Sequence, residues 1–179
     1  MPSDEKAMIP FWIQVQGRDL AQGDFLPGCF VPIVPQGFAP GQHLAIPVRE
    51  GDLIVLTQSC DLANQKAGAV ALCPIHSLAA FEAVNPQFAK KGAWEDVRKG
   101  RREGLYLLAS HTQPDVSRPS LVVDFRQIYS LPIDYLQQHA VALGSRWRLQ
   151  SPFLEHFSQA FARFFMRVGL PSAVPPFTD

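Results

Sequence analysis

Thiols, imidazoles and one run of cations are the side chains in this sequence that have chemistry to offer. The word QSCDL sets Cys60 beside Asp61, and AVALCPIHS sets Cys73 three residues before His76. A cysteine and a histidine at that spacing are a possible pair of zinc ligands, with Cys60 as a third. A thiol at Cys60 is alternatively a nucleophile, which needs an imidazole to take its proton. Further on, Lys90, Lys91, Arg98, Lys99, Arg101 and Arg102 lie close together among Glu95 and Asp96. This is the only basic concentration in a chain of formal net charge +0, and it reads either as an anion-binding flap or as a solvated surface helix or loop. No glycine-rich phosphate loop, HExxH or GxSxG word occurs, so common nucleotide-dependent and hydrolase folds lose weight.

The elements that must position these groups decide among the readings. An apolar run Leu53 to Leu56, a polar turn Asp61 to Gly68 and a returning run Ala69 to Ile75 predict a β-hairpin. If its loop centres near Asn64 to Gln65, Cys73 faces a position near Thr57, and Cys60 lies roughly 10 Å away along the strand. Structural zinc is then not expected. The same register puts His76 roughly 17–20 Å from the level of Cys60, so a catalytic thiol there would need His156, His111 or His43. The plainer expectation is a small, buried or half-buried Cys60 at a strand end, since free cysteine packs well in cores and a lone carboxylate neighbour disfavours the thiolate.

Around the hairpin, FWIQVQ (Phe11 to Gln16) alternates apolar with polar residues and predicts a first strand. Prolines at 27, 32, 35, 40 and 47 forbid a helix between them and leave short edge strands and loops. A short helix is expected over Leu78 to Val84, strands over Leu105 to Ser110 and Ser120 to Leu131, a short helix from Pro132 to about Gln138, and a last strand at Trp147 to Leu149. The final helix, Pro152 to Val168, has Ser151 to cap it, Pro152 at the first helical position, and Gly169 and Pro171 to stop it. Phe153, Phe157, Phe161, Phe164, Phe165 and Val168 recur at helical spacing as one apolar stripe, with His156, Gln159, Arg163 and Arg167 on the other side.

With 179 residues, 47% apolar and 18% charged, the chain is expected to form one domain over 1–179 with a real core, and to leave some apolar surface for a partner or for self-association. Neutral overall charge supplies no field to draw it onto nucleic acid or a membrane, so any such binding must be local. The N-terminus has no apolar run of signal-peptide length, which makes the cytoplasm the expected location. Three cysteines without such a signal predict free thiols rather than disulfides.

The order of these words resembles the MazF/PemK family of small barrels. The likeness runs from Gly23 and Asp24 through LIVLTQ, AVALCPIHS and LVVDFRQIYSL to the final helix, with a basic insertion about 85–104. It implies an α+β, mainly β fold: an SH3-like barrel over about 11–149 carrying a C-terminal amphipathic helix. It also implies a homodimer that contacts RNA, with no metal or cofactor, and a protein partner such as an antitoxin. The family cleaves RNA with an arginine before the first hairpin strand and a threonine in the second. Here the arginine's place falls on Gly51, with Arg49 two residues away, and the threonine's place is His76. A histidine titrating near neutrality can take the proton of a ribose 2′-hydroxyl, and an arginine can stabilise the phosphoryl oxygens. His76 and Arg49 are therefore the expected catalytic pair, and the basic run Lys90 to Arg102 the expected RNA contact. The words QSCDL and FARFFMRVGLP are also similar to those of a group of bacterial proteins, which implies a bacterial origin and no mechanism. A non-catalytic module of a toxin–antitoxin or defence system, and a thiol enzyme centred on Cys60, remain as alternatives.

Overall fold

The structure, a computed structural model, describes residues 10–39, 41, 43, 45–111 and 119–166. Its elements in chain order are β1 (Trp12–Gln16), β2 (Phe25–Pro32), β3 (Val48–Val55), α1 (Ser59–Ala63), β4 (Ala69–Ser77) and α2 (Leu78–Val84). A 3₁₀ turn (Pro86–Phe88) and α3 (Ala93–Arg98) follow, then β5 (Leu105–Ala109), β6 (Pro119–Asp124), β7 (Tyr129–Pro132), α4 (Ile133–Leu143), β8 (Ser145–Leu149) and α5 (Phe153–Phe165). Every strand pair described is antiparallel, so the fold is α+β with antiparallel sheets. One sheet runs β2-β3-β4-β6-β5 with β7 also on β4, and β1 pairs with β8 apart from it. β2 and β5 remain the ends of the path, and the pairing among the described residues does not close into a barrel.

The proline-rich stretch behaves as its chemistry requires. β2 is an edge strand, and its register slips between Leu26 and Cys29, where Pro27 lacks an N–H and Gly28 sits at φ +67°. The Asp52 carboxylate accepts from the freed Gly28 N–H at 3.0 Å, which holds the bulge against β3. Just before β2, Gly23 has φ +82°, and a Cβ there would lie 2.9 Å from Leu154 and 3.0 Å from Leu149. Only glycine lets the chain turn this close to β8 and α5.

The hairpin forms, but in a different register from the one expected. Ile54, not Thr57, faces Cys73. The polar connection coils into α1, and the Thr57 hydroxyl instead accepts from the Ala71 N–H at 2.8 Å. The expected single strand Ser120 to Leu131 divides into β6 and β7. Asp124 ends the first part by turning back on the chain, its Oδ1 accepting from the Arg126 N–H at 3.0 Å, an Asx turn. Both pieces still pair with β4, β7 along 69–72 and β6 along 75–77. α4 runs to Leu143, beyond the expected Gln138, because Leu136 and Ala140 continue its buried face.

The basic insertion is not a bare flap. Phe81, Phe88, Ala93 and Val97 make a small core of their own with Leu105 and Val122. The main core has one part between β2, β3, β4, β7 and α4, and another that α5 covers. α5 begins at Phe153 with Pro152 at its cap and no side-chain capping bond. The Ser151 cap does not form; Phe153 N–H and Leu154 N–H reach Gln150 O at 2.8 and 3.1 Å instead. Phe157 is fully buried and Phe161 and Phe164 half-buried, whereas Phe165 is 56% exposed and so leaves the stripe. Val168, Gly169 and Pro171 lie outside the described residues. No described helix is long and apolar enough to cross a membrane.

Phe125, in the turn after β6, is the hub of this packing, with ring centroids 5.6 Å from Phe157, 5.4 Å from Phe161 and 6.3 Å from Phe164. Phe157→Ala removes a buried ring at the centre and is expected to destabilise the fold by about 3–5 kcal/mol. Phe161→Ala, at a half-buried position, should cost clearly less. Paired urea titrations check the order; equal midpoints for the two variants would contradict this packing.

Candidate functional site

A groove of about 1040 Å³ opens where β3, β4, β6 and β7 meet, and both Arg49 and His76 line it. Their convergence follows from strand alternation. Leu53 of β3 faces Pro74 of β4, so continuing that register puts Gly51 level with His76 and Arg49 two residues on, on the same face. A Cβ at Gly51 would meet nothing within 4 Å, so the space beside His76 is open there.

His76 sits opposite Val122 of β6, half-buried, with its ring 5.8 Å from that of Phe81. Burial pushes its pKa below the ordinary 6.5, and Arg49 pushes the same way, while Asp124 and Asp52 pull up. The net direction is down, so the imidazole is neutral and a proton acceptor near pH 7. Arg49, exposed on β3, donates from Nη2 to the Tyr129 hydroxyl at 2.9 Å, and that hydroxyl donates to Gln127 Oε1 at 3.2 Å. The guanidinium is thereby aimed along the groove, with donors to spare.

The carboxylates in the groove are largely engaged. Asp124 is buried and accepts from Arg126 Nε and Nη2, each at 2.7 Å, while Asp52 Oδ1 accepts from the Gly28 N–H. Two polar atoms are not engaged: His111 Nδ1 and Ser120 Oγ, both buried, have no hydrogen-bond partner, and both residues line this groove. The His111 ring lies 4.8 Å from Phe25 and 6.3 Å from Trp147. Burial lowers its pKa too, with Asp52 opposing. A polar ligand in the groove would meet a cation and a neutral imidazole.

Cys60 is elsewhere. It is exposed on α1, contrary to the expected buried strand-end position, because the hairpin connection is helical. Its sulfur has Gln58 Oε1 at 3.6 Å and Asp61 Oδ1 at 3.9 Å as polar neighbours, and His111 and His156 line other grooves. His43 is exposed. Cys73 is buried and burial pushes its pKa to about 12, as it does that of Cys29. Among the described residues no group of three His, Cys, Asp or Glu is placed to hold a metal ion. One thiol is therefore expected to react with a maleimide in the native protein and all three after denaturation. Cys60→Ser should change stability by less than about 0.5 kcal/mol, as exposed substitutions usually do; a native count of zero or three would contradict this.

The six expected RNA-contacting cations separate into two sets. Arg98 and Lys99 share Glu95, at 2.6 and 3.1 Å, and Arg101 pairs with Asp96 at 3.3 Å. Arg102 stacks over Phe88, 4.8 Å from the ring centroid. Lys90 and Lys91 are exposed. Arg98, Lys99 and Arg102 line a second groove against α5, whereas Lys90, Lys91 and Arg101 line neither it nor the central one. Sequence reasoning missed Tyr129, Ser120 and the Asp124–Arg126 pair; the only signal was a charged Asp124 inside the apolar word LVVDF.

Comparison of the chain with protein-family models, with curated proteins and with solved structures finds no match in any of the three.

Proposed function

We propose that the central groove binds single-stranded RNA and cleaves it without a metal ion, the chain being a divergent relative of the MazF/PemK barrels in which His76 replaces the usual threonine and Arg49 the usual arginine. The observation that carries this is the convergence of a neutral imidazole and a hydrogen-bonded guanidinium on one groove. In the reaction His76 takes the proton of a ribose 2′-hydroxyl, whose oxygen attacks phosphorus. Arg49 stabilises the negative charge that grows on the phosphoryl oxygens. The bond from phosphorus to the 5′-oxygen breaks, that oxygen takes a proton from water, and the products carry a 2′,3′-cyclic phosphate and a 5′-hydroxyl.

The test is incubation with single-stranded RNA in excess chelator, with the new ends identified chemically. Cyclic phosphate and 5′-hydroxyl ends support the reading; intact RNA, or cleavage that needs a divalent ion, sinks it. A homodimer and a closed barrel completed by a second copy belong to the same proposal, and the solution mass checks the first of them. One observation favours the other reading, a non-catalytic interaction module with an antitoxin-like protein partner. The β2–β3 tip exposes Phe30, Val34, Phe38, Ile46 and Val48, between 45 and 67% each, an apolar surface of the kind partners cover. Such a module leaves the RNA intact in the same experiment.

A further inference from the structure

A second groove, of about 650 Å³, lies between the basic insertion and α5. One wall carries Arg98, Lys99 and Arg102 from the insertion, and the other carries His156, Gln159 and Arg163 from the polar face of α5. These residues are some 60 positions apart in the chain, so the fold, not a charge run, creates the site. Among the described residues Glu103 is the one carboxylate lining it, and Glu95 engages Arg98 and Lys99 from outside with a single charge. A surplus of positive charge is left facing the cleft, with the neutral amide of Gln159 among the cations.

The two grooves adjoin. Arg126 lines the central groove, and its Cγ would stand 2.8 Å from a Cβ at Gly104, which lines the basic groove. Gly104, at φ +83°, would likewise place a Cβ 3.0 Å from Phe164 of α5, so the absence of a side chain lets Arg126 and Phe164 pack over the backbone between the two grooves.

We propose that the basic groove is a backbone-binding subsite for single-stranded RNA, contacted by Arg102 and Arg163 and continuous past Arg126 with the site of cleavage. The inference rests on the RNA reading of the central groove, but binding and cleavage are separate measurements. Cations that neutralise phosphates release counterions, and each lost contact lowers the salt slope of single-strand binding by about 0.7. Arg101, tied to Asp96, and the outlying Lys90 and Lys91 make no such contact.

The probe is a fully 2′-O-methylated RNA oligonucleotide, which cannot be cleaved, titrated onto the whole protein across a range of salt. Arg102→Ala with Arg163→Ala is expected to weaken binding and to reduce the slope of log Kd against log salt by about 1.4. Lys90→Ala with Lys91→Ala should leave the slope at its wild-type value. Arg102→Lys should keep most of the slope, which separates lost charge from lost packing on Phe88, and Arg163→Glu, at an exposed position, should weaken binding further. An unchanged slope in the double arginine variant, a loss carried by the lysines instead, or no binding to the probe at low salt would each overturn the subsite. If the wild type binds the probe as expected yet does not cleave unmodified RNA, the cleavage reading fails and the subsite stands; cleavage with an unchanged slope gives the converse.

Discussion

His76→Ala is expected to lower kcat for RNA cleavage about 10²–10⁴-fold, the usual contribution of a positioned general base, with little change in affinity for an uncleavable RNA. The ring is half-buried at a strand end where burial and Arg49 hold it neutral, so its loss removes a proton acceptor and leaves the walls of the groove in place. Arg49→Ala should lower kcat by about 10²–10³-fold, the scale of losing one charge-stabilising donor, and should also release the Tyr129 hydroxyl from its 2.9 Å partner. The pH profile adds a sign. A base whose pKa lies below 6.5 stays competent down to pH values where an ordinary histidine has begun to protonate, so the acid limb of kcat/KM falls below pH 6.5. Stability follows the same direction: between the depressed folded value and 6.5 the unfolded chain binds more protons at His76 and His111. Their stabilising contribution is complete above that window and is lost as pH falls through it. An acid limb at or above pH 6.5, or undiminished turnover in His76→Ala, would remove His76 from the chemistry.

Asp24→Ala should cost about 3–5 kcal/mol, the penalty for leaving a buried charge without its partner. Against a typical total of about 5–15 kcal/mol, that is enough to leave much of the protein unfolded on warming. Asp24 and Arg146 are both 0% exposed, paired at 2.8 Å, and Arg148 reaches the same carboxylate at 2.9 Å. Arg146 Nη1 also donates to Gly17 O at 2.7 Å, and Nη2 donates to Asp19 O. One carboxylate thus aligns two guanidiniums that fasten the β1–β2 connection to β8. Removing it strands Arg146 in the interior, while Arg148, partly exposed, can turn to water. Arg148→Ala should therefore cost clearly less than Asp24→Ala in a denaturation comparison, and equal costs would refute this division of roles.

What the sequence conveyed well was local. The strand word FWIQVQ and the phenylalanine spacing of the last helix signal their own element types; β1 covers Trp12–Gln16 of the expected Phe11 to Gln16, and α5 starts one residue after the expected Pro152 and ends at Phe165, three short of the expected Val168. The hairpin connection was misjudged because a polar stretch holding Asp61, Asn64 and Gly68 reads as a turn, although residues 59–63 make a helix, and that shifts Cys60 off the strand. The break after Asp124 was hidden for a similar reason: β-branched residues lie on both sides, and the cause is a carboxylate folding back on Arg126. The grooves depend on residues far apart in the chain, which no local pattern encodes. Arg49 and His76 could be paired only through a family likeness, and the placing of Arg102 and Arg163 on one groove had no signal at all. The alternation in RWRL did hold a clue to the buried cluster, since arginine every second residue beside tryptophan and leucine sends charges to one face of a strand.

The pairing of the first strand with the last also sets how this chain reaches its native state. Among the described strands β1 pairs with β8 alone, and the bond between Asp24 and Arg146 spans 122 residues of chain. Closing a loop of that length forfeits more entropy than closing any hairpin in the molecule, and nothing repays it until both ends arrive together. A chain growing from the ribosome exposes β1 long before β8 exists. Refolding of the intact protein should accordingly be slow for its size, in the millisecond-to-second regime of topologies dominated by distant contacts, with the fluorescence of Trp12 and Trp147, on the two paired strands, reporting the last event.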